Sequence, residues 1–204
     1  MSPSPIVVDC APLIVHWRPP AELTDEQFFE FCRINPDLRI ERATDGEVII
    51  MSPAGGRTGA RNLEIAMQLG QWAKRDGRGV AFDSSTGFRL PNGATRAPDA
   101  AWVLRSRLDL LADEAKERFL PLCPDFVIEL RSPSDELLTL REKMDEYQAN
   151  GARLGWLIDP MSRHVYVYTD DTAPREVVDP AELSDVSVLP GFVLNLSAIW
   201  EPGL

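Results

Sequence analysis

The sequence has no apolar run approaching the roughly 18 residues that a membrane-spanning helix needs, and its opening MSPSPIVVDC lacks the basic start and long apolar stretch of a signal peptide. The expected location is therefore the cytoplasm, with no membrane partner. Cysteine is scarce: Cys10, Cys32 and Cys123 are odd in number, widely spaced and without a CxxC, which argues against a disulfide framework or a zinc knuckle. Basic residues are outnumbered, 21 against 32 acidic, and a net charge of -11 opposes non-specific attraction to a polyanion. That balance counts against a nucleic-acid-coating protein. An enzyme stays open, because a carboxylate cleft that holds a divalent cation itself adds negative charge. Repeats, low-complexity tracts and long linkers are also missing, and 204 residues with 44% hydrophobic content suit one core. The chain reads as a single domain over 1–204, with an extended lead over 1–20, a core over about 36–170 and a tail of short, weaker strands over 171–204.

The segment LTDEQFFEFCRINP predicts a short helix, with Thr24 or Asp25 as its N-cap and a stop before Pro36. LRIERATDGEVIIMSP predicts a hairpin turning at Asp45-Gly46. RTGARNLEIAMQLGQWAKRDG predicts a long helix on the spacing of Leu63, Ala66, Met67, Gly70 and Ala73, ended by Gly77. Short β-like runs follow in VAFD and GFRL, with a turn at Pro91-Asn92-Gly93, then a strand in DAAWVL and a helix over Arg107 to Arg118. DFVIELR is the clearest strand. Helix returns from Ser134 to Asn150, closed by Gly151, and RLGWLID with HVYVY forms a second hairpin. This order fits an α/β fold with a mixed sheet flanked by helices, with an α+β roll as the alternative.

Two strands carry acids where a plain core strand would not want them. In RAPDAAWV the pleat sets Asp99 with Ala101 and Val103, and in PDFVIELRS it sets Asp125, Val127, Glu129 and Arg131 on one face. Hard divalent cations need oxygen ligands, and magnesium is commonly held by one or two carboxylates plus waters and phosphate oxygens. Two acids at adjacent strand ends meet that need. The plainer reading is that Asp99 caps a turn after Pro98 while Glu129 pairs with Arg131.

PDAAWV, followed by PDFVIELRSPSD and EKMDEYQANGARLGWLIDP, resembles a large bacterial family of restriction-endonuclease-like proteins within the PD-(D/E)XK nuclease superfamily. The resemblance runs from the first hairpin to HVYVY. It implies a restriction endonuclease-like core with an added N-terminal helix and hairpin. It also implies that Asp99 and Glu129 bind Mg2+ or Mn2+, with the carbonyl of Leu130 as a further ligand. The third member departs from the pattern, since Arg131 stands where lysine is expected. Arginine cannot take a proton from water, so Arg131 could only stabilise charge on a phosphate. The resemblance implies a replacement, because members of the family carry a helix lysine just before a tyrosine, here Lys143 and Tyr147; Lys143 lies at the edge of the stripe Leu137, Leu140, Met144 and Tyr147, against the reading of a solvated lysine whose stem covers the core. The resemblance also implies an acid from the first core helix near the metal, which falls on Glu64. It belongs to a polar stripe with Arg61, Gln68, Gln71 and Arg75 that could equally face solvent.

Other signals lead nowhere specific. Gly55-Gly56 precedes no Gly-Lys-Ser/Thr, His16 and His164 have no nucleophile beside them, and Ser132, Ser134 and Asp135 read as caps for the next helix. The expected activity is hydrolysis of a nucleic-acid phosphodiester, with DNA as the foremost substrate. The alternatives are a nuclease-fold binding module without turnover, and cleavage of a small phosphodiester. Edge strands after Gly151 with Trp156, Tyr166 and Tyr168, together with the family resemblance, suggest a homodimer.

Overall fold

The structure is a computed structural model that describes residues 14–169 and 173–204. Cys10 and most of the lead lie outside these residues. The first half of the chain runs β1 (Val15–Trp17), α1 (Asp25–Ile34), β2 (Arg39–Arg42), β3 (Val48–Met51), α2 (Gly56–Asp76), β4 (Gly79–Asp83), β5 (Phe88–Arg89), β6 (Thr95–Arg96) and β7 (Ala100–Leu104). Then come α3 (Arg105–Leu108), α4 (Asp113–Lys116), β8 (Phe126–Leu130), α5 (Leu137–Ala149), β9 (Leu154–Asp159) and β10 (His164–Thr169). The described chain ends with β11 (Arg175–Val178), β12 (Glu182–Ser184), β13 (Val193–Asn195) and α6 (Ser197–Trp200). It is the expected mixed α/β arrangement, built on three sheets rather than one among the described residues. The five-stranded sheet has the order β1-β3-β2-β6-β5, the six-stranded sheet β11-β10-β9-β8-β7-β4, and in the third β12 pairs with β13. Strands β8 and β9 run parallel across the α5 crossover, while the other described pairs are antiparallel.

Local chemistry explains the ends. Thr24 accepts from the Gln27 amide at 3.2 Å while the Gln27 side chain accepts from the Thr24 amide at 2.9 Å, a reciprocal capping box. Gly46 turns the first hairpin at φ 82° and Gly77 ends α2 at φ 74°, conformations that glycine takes without a Cβ penalty. Helix α5 opens differently from expectation. Its N-cap Glu136 makes no side-chain cap bond, and the Asp135 carboxylate instead accepts from the Ser132 amide at 2.7 Å to close the preceding turn. The segment over Arg107 to Arg118 is also not one helix. It breaks between α3 and α4 with Leu110 exposed, and Asp113 and Glu114 suit the positive end of a fresh first turn.

The sheet of six strands is covered on both faces. On one side α2 packs Ile65, Leu69, Trp72 and Ala73 against Ala100, Trp102, Phe126 and Ile128. The expected stripe on α2 is thus corrected: Leu63 and Met67 are exposed, and the buried face is the one centred on Leu69. On the other side α5 brings Met144 and Tyr147 against Ala101, Val103, Val127 and Leu157. Gly155 makes that approach possible, because a Cβ there would stand 2.4 Å from Met144 Cε. The C-terminal segment is no peripheral tail, since Phe192, Leu194, Leu196, Ile199 and Trp200 are buried in the α2-side core. Trp156, Tyr166 and Tyr168 are buried as well, and β10 is covered by β11, so these residues offer no surface for self-association. Among the described residues no helix is long and apolar enough to cross a membrane.

Candidate active site

Strands β7 and β8 pair with Ala100 opposite Ile128, Ala101 opposite Val127 and Trp102 opposite Phe126. Extending that register by one residue sets Asp99 across from Glu129, and directly opposed side chains share one face of a sheet. Both carboxylates are buried. Asp99 Oδ2 accepts from the Leu130 amide at 2.8 Å, which ties the start of β7 to the end of β8. Its Oδ1 accepts from Arg39 Nη1 at 3.0 Å and from Asn62 Nδ2 at 3.3 Å. The turn-cap reading of Asp99 is therefore replaced by a set of long-range bonds.

Glu129 Oε1 accepts from Tyr147 Oη at 3.0 Å and lies 2.9 Å from Lys143 Nζ. The helical stripe of α5 explains this: Met144 and Tyr147 anchor the buried side, and Lys143 at its edge is carried inward with them. Lys143 Nζ also donates to Glu41 Oε1 at 2.8 Å, so one ammonium bridges two buried carboxylates. Glu41 is closed further by the Ala97 amide at 3.0 Å and Arg96 Nη1 at 3.3 Å. Glu41, Asp99 and Glu129 thus meet Arg39, Arg96 and Lys143, and Arg96 Nε also pairs with Glu146 at 2.5 Å.

The charges are not evenly shared. Burial pushes Glu129 up, to about 7, with Asp99 and Glu41 acting in the same direction against the pull of Lys143. Burial also opposes the charge on Glu41, but Lys143, Arg96 and Arg39 together outweigh it and hold Glu41 well below the usual carboxylate range. Lys143 keeps its proton, because Glu129 and Glu41 overcome the effect of burial.

Two expected members stand apart. Arg131 Nη1 pairs with Asp159 at 2.8 Å and its Nε donates to the Asp135 carbonyl at 3.1 Å, so it is engaged beyond the end of β8. Glu64 accepts from Gln68 Nε2 at 2.9 Å, and Gln68 in turn bonds the Asn195 backbone. Residue 64 stands roughly 200° round the helix from residue 62, so Asn62, not Glu64, is the α2 side chain that reaches Asp99. Arg39, Glu41, Asn62 and Arg96 were not among the expected site residues. The one available signal was the alternation of RIER, which puts Arg39 and Glu41 on one face of a strand and leaves Ile40 to the core.

The oxygen donors on offer to a hard cation are Asp99 and Glu129, with the Leu130 peptide beside them. Asn62 Oδ1 is buried without a hydrogen-bond partner, an orphaned acceptor next to Asp99. Among the described residues no three His, Cys, Asp or Glu side chains form a ready metal cage. A hard cation held by two carboxylates and a peptide oxygen would keep several waters.

No curated protein matches the sequence. In fold the chain is similar to a crystal structure described as "a putative nuclease belonging to DUF820" from Anabaena variabilis ATCC 29413, at 20% sequence identity and a TM-score of 0.73, over 87% of this chain and 97% of that one. A family model, Uma2, described as "Putative restriction endonuclease", matches residues 25–197. With that span matched, the chain belongs to the Uma2 family.

Proposed function

We propose that the chain hydrolyses nucleic-acid phosphodiesters with the help of Mg2+ or Mn2+ held by Asp99 and Glu129, with DNA as the foremost substrate. The observation that carries the reading is the opposition of Asp99 and Glu129 across β7 and β8 with Lys143 Nζ 2.9 Å from Glu129. When bound, such an ion supplies positive charge to the scissile phosphate and lowers the pKa of a water. The Leu130 carbonyl and Asn62 Oδ1 are the neighbouring oxygens that could add to the shell. Lys143, protonated between its two carboxylates, donates hydrogen bonds to the phosphate or the attacking water and does not act as the base. Arg131 and Glu64, bonded elsewhere, have no direct part in this scheme.

Metal-dependent cleavage of single- and double-stranded DNA, RNA and a small phosphodiester tests the reading. Cleavage that is lost in Asp99→Ala and in Glu129→Ala is the expected result. Activity that survives Asp99→Ala, or no cleavage of any substrate, contradicts it. A second reading, a binding module without turnover, draws on the cations already bonded to the proposed ligands, Arg39 on Asp99 and Lys143 on Glu129. Calorimetry with Mn2+ separates the two: an ion that binds in the wild type and not in Glu129→Ala speaks for a working centre.

A further inference from the structure

A cavity of about 480 Å³ opens between α1, the start of β2 and the loop before β5. Its walls include Phe29, Leu38, Ser84 and Phe119, and on the inner side Arg39 and Ala97. Those last two belong equally to the carboxylate cluster, because Arg39 donates to Asp99 at 3.0 Å and to the Ala97 carbonyl at 2.6 Å. The Arg39 guanidinium therefore forms the partition between the cavity and Asp99. Of its five donors one, Nε, is buried with no partner, and its side chain remains 31% exposed. A phosphate oxygen is an acceptor of the kind that an arginine fork takes.

The cavity wall is mixed, with Arg33, Asp37 and Arg39 beside the rings of Phe29 and Phe119, and the rings are the part that suits a nucleobase. Phe29 and Phe119 meet edge to face at 5.1 Å, and Phe119 lies against Gly87, where a Cβ would stand 2.4 Å from its ring. The volume falls in the range of small-molecule pockets. It has room for one nucleoside. Bases in a duplex are paired and stacked, and entering such a pocket requires one to be pulled out, whereas a single strand presents its bases freely.

Resting on the proposed hydrolytic reading, we infer that this cavity seats the nucleoside next to the scissile phosphate, that Arg39 contacts that phosphate, and that the substrate is single-stranded nucleic acid. The test is equilibrium binding of a labelled short single strand and of the same sequence as a duplex, in calcium, together with Mn2+ calorimetry. The single strand is expected to bind more tightly than the duplex. Ser84→Trp, which fills the cavity from its rim, is expected to weaken single-strand binding at least about tenfold while leaving Mn2+ affinity within about twofold. If Ser84→Trp does not fold, Phe29→Leu, which keeps apolar volume but removes the ring, is expected to weaken the single strand as well. Duplex binding as tight as single-strand binding, or variants that bind like the wild type, overturns the inference. Duplex-selective cleavage would overturn it while leaving the hydrolytic reading intact. Single-strand binding that is lost in Ser84→Trp, without cleavage of any substrate, would keep the cavity as a single-strand site and remove the hydrolytic reading, and with it the place beside a scissile phosphate.

Discussion

Lys143 is held by two buried carboxylates from different strands, Glu41 of β2 at 2.8 Å and Glu129 of β8 at 2.9 Å. Removing one partner of a buried charge set leaves the others uncompensated, which typically costs about 3–5 kcal/mol. Lys143→Met is therefore expected to lower stability by about that amount, read from the urea midpoint at unchanged slope. A loss under about 1 kcal/mol would mean the lysine is solvated after all. The position of Glu129 has a separate consequence. Its proton is held up to about 7, and a protonated carboxyl is a poor ligand, so an ion must displace that proton at lower pH. Mn2+ affinity should rise about tenfold per pH unit towards about 7 and level off above it. Affinity that stays flat between about pH 5.5 and pH 8 would show that Glu129 is not the ligand. Strand alternation marked Asp99 and Glu129 only as acids out of place at strand ends, and it was the family resemblance that made them, with Lys143, candidates for one site. Glu41 could not be picked out, since its pairing with Lys143 spans 102 residues and depends on how two sheets meet.

At the scale of elements, α2 shows where periodicity misleads. Leu63 and Met67 have the right spacing for a buried stripe, as do Ile65, Leu69 and Trp72, and only packing against β4 and β7 decides between them. The consequence is measurable. Leu69→Ala, at a fully buried position, should cost about 2–5 kcal/mol, whereas Leu63→Ala, at 64% exposure, should stay within about 0.5 kcal/mol of the wild type. Equal losses in urea unfolding would put the helix in the other orientation. That orientation matters to the site, because it is what turns Asn62 towards Asp99 and Glu64 away from it. The strands were more legible than the helix. Asp45-Gly46 and the apolar runs over β8 and β9 have few alternative pairings, whereas the polar break between α3 and α4 depends on which turn the two short helices favour.

Across the whole molecule, residues separated by more than a hundred positions converge on one face, and the C-terminal segment locks the other. Phe192 stacks on Trp156 at 5.9 Å and 12° and also meets Trp72 at 5.3 Å, joining the last strands to α2 and the large sheet. Phe192→Ala should then cost about 3–5 kcal/mol in urea unfolding; a change below about 1 kcal/mol would make the segment an accessory after all. This arrangement was not visible in the sequence, because β12 and β13 are three residues each and carry little pattern. The tie between the ends of β7 and β8 is what gives the carboxylate pair its place. An anomalous difference map from crystals soaked in Mn2+ tests that pair most directly. The account predicts one peak within about 2.2 Å of a carboxylate oxygen from both Asp99 and Glu129; a peak bound elsewhere, or none at saturating Mn2+, would contradict it.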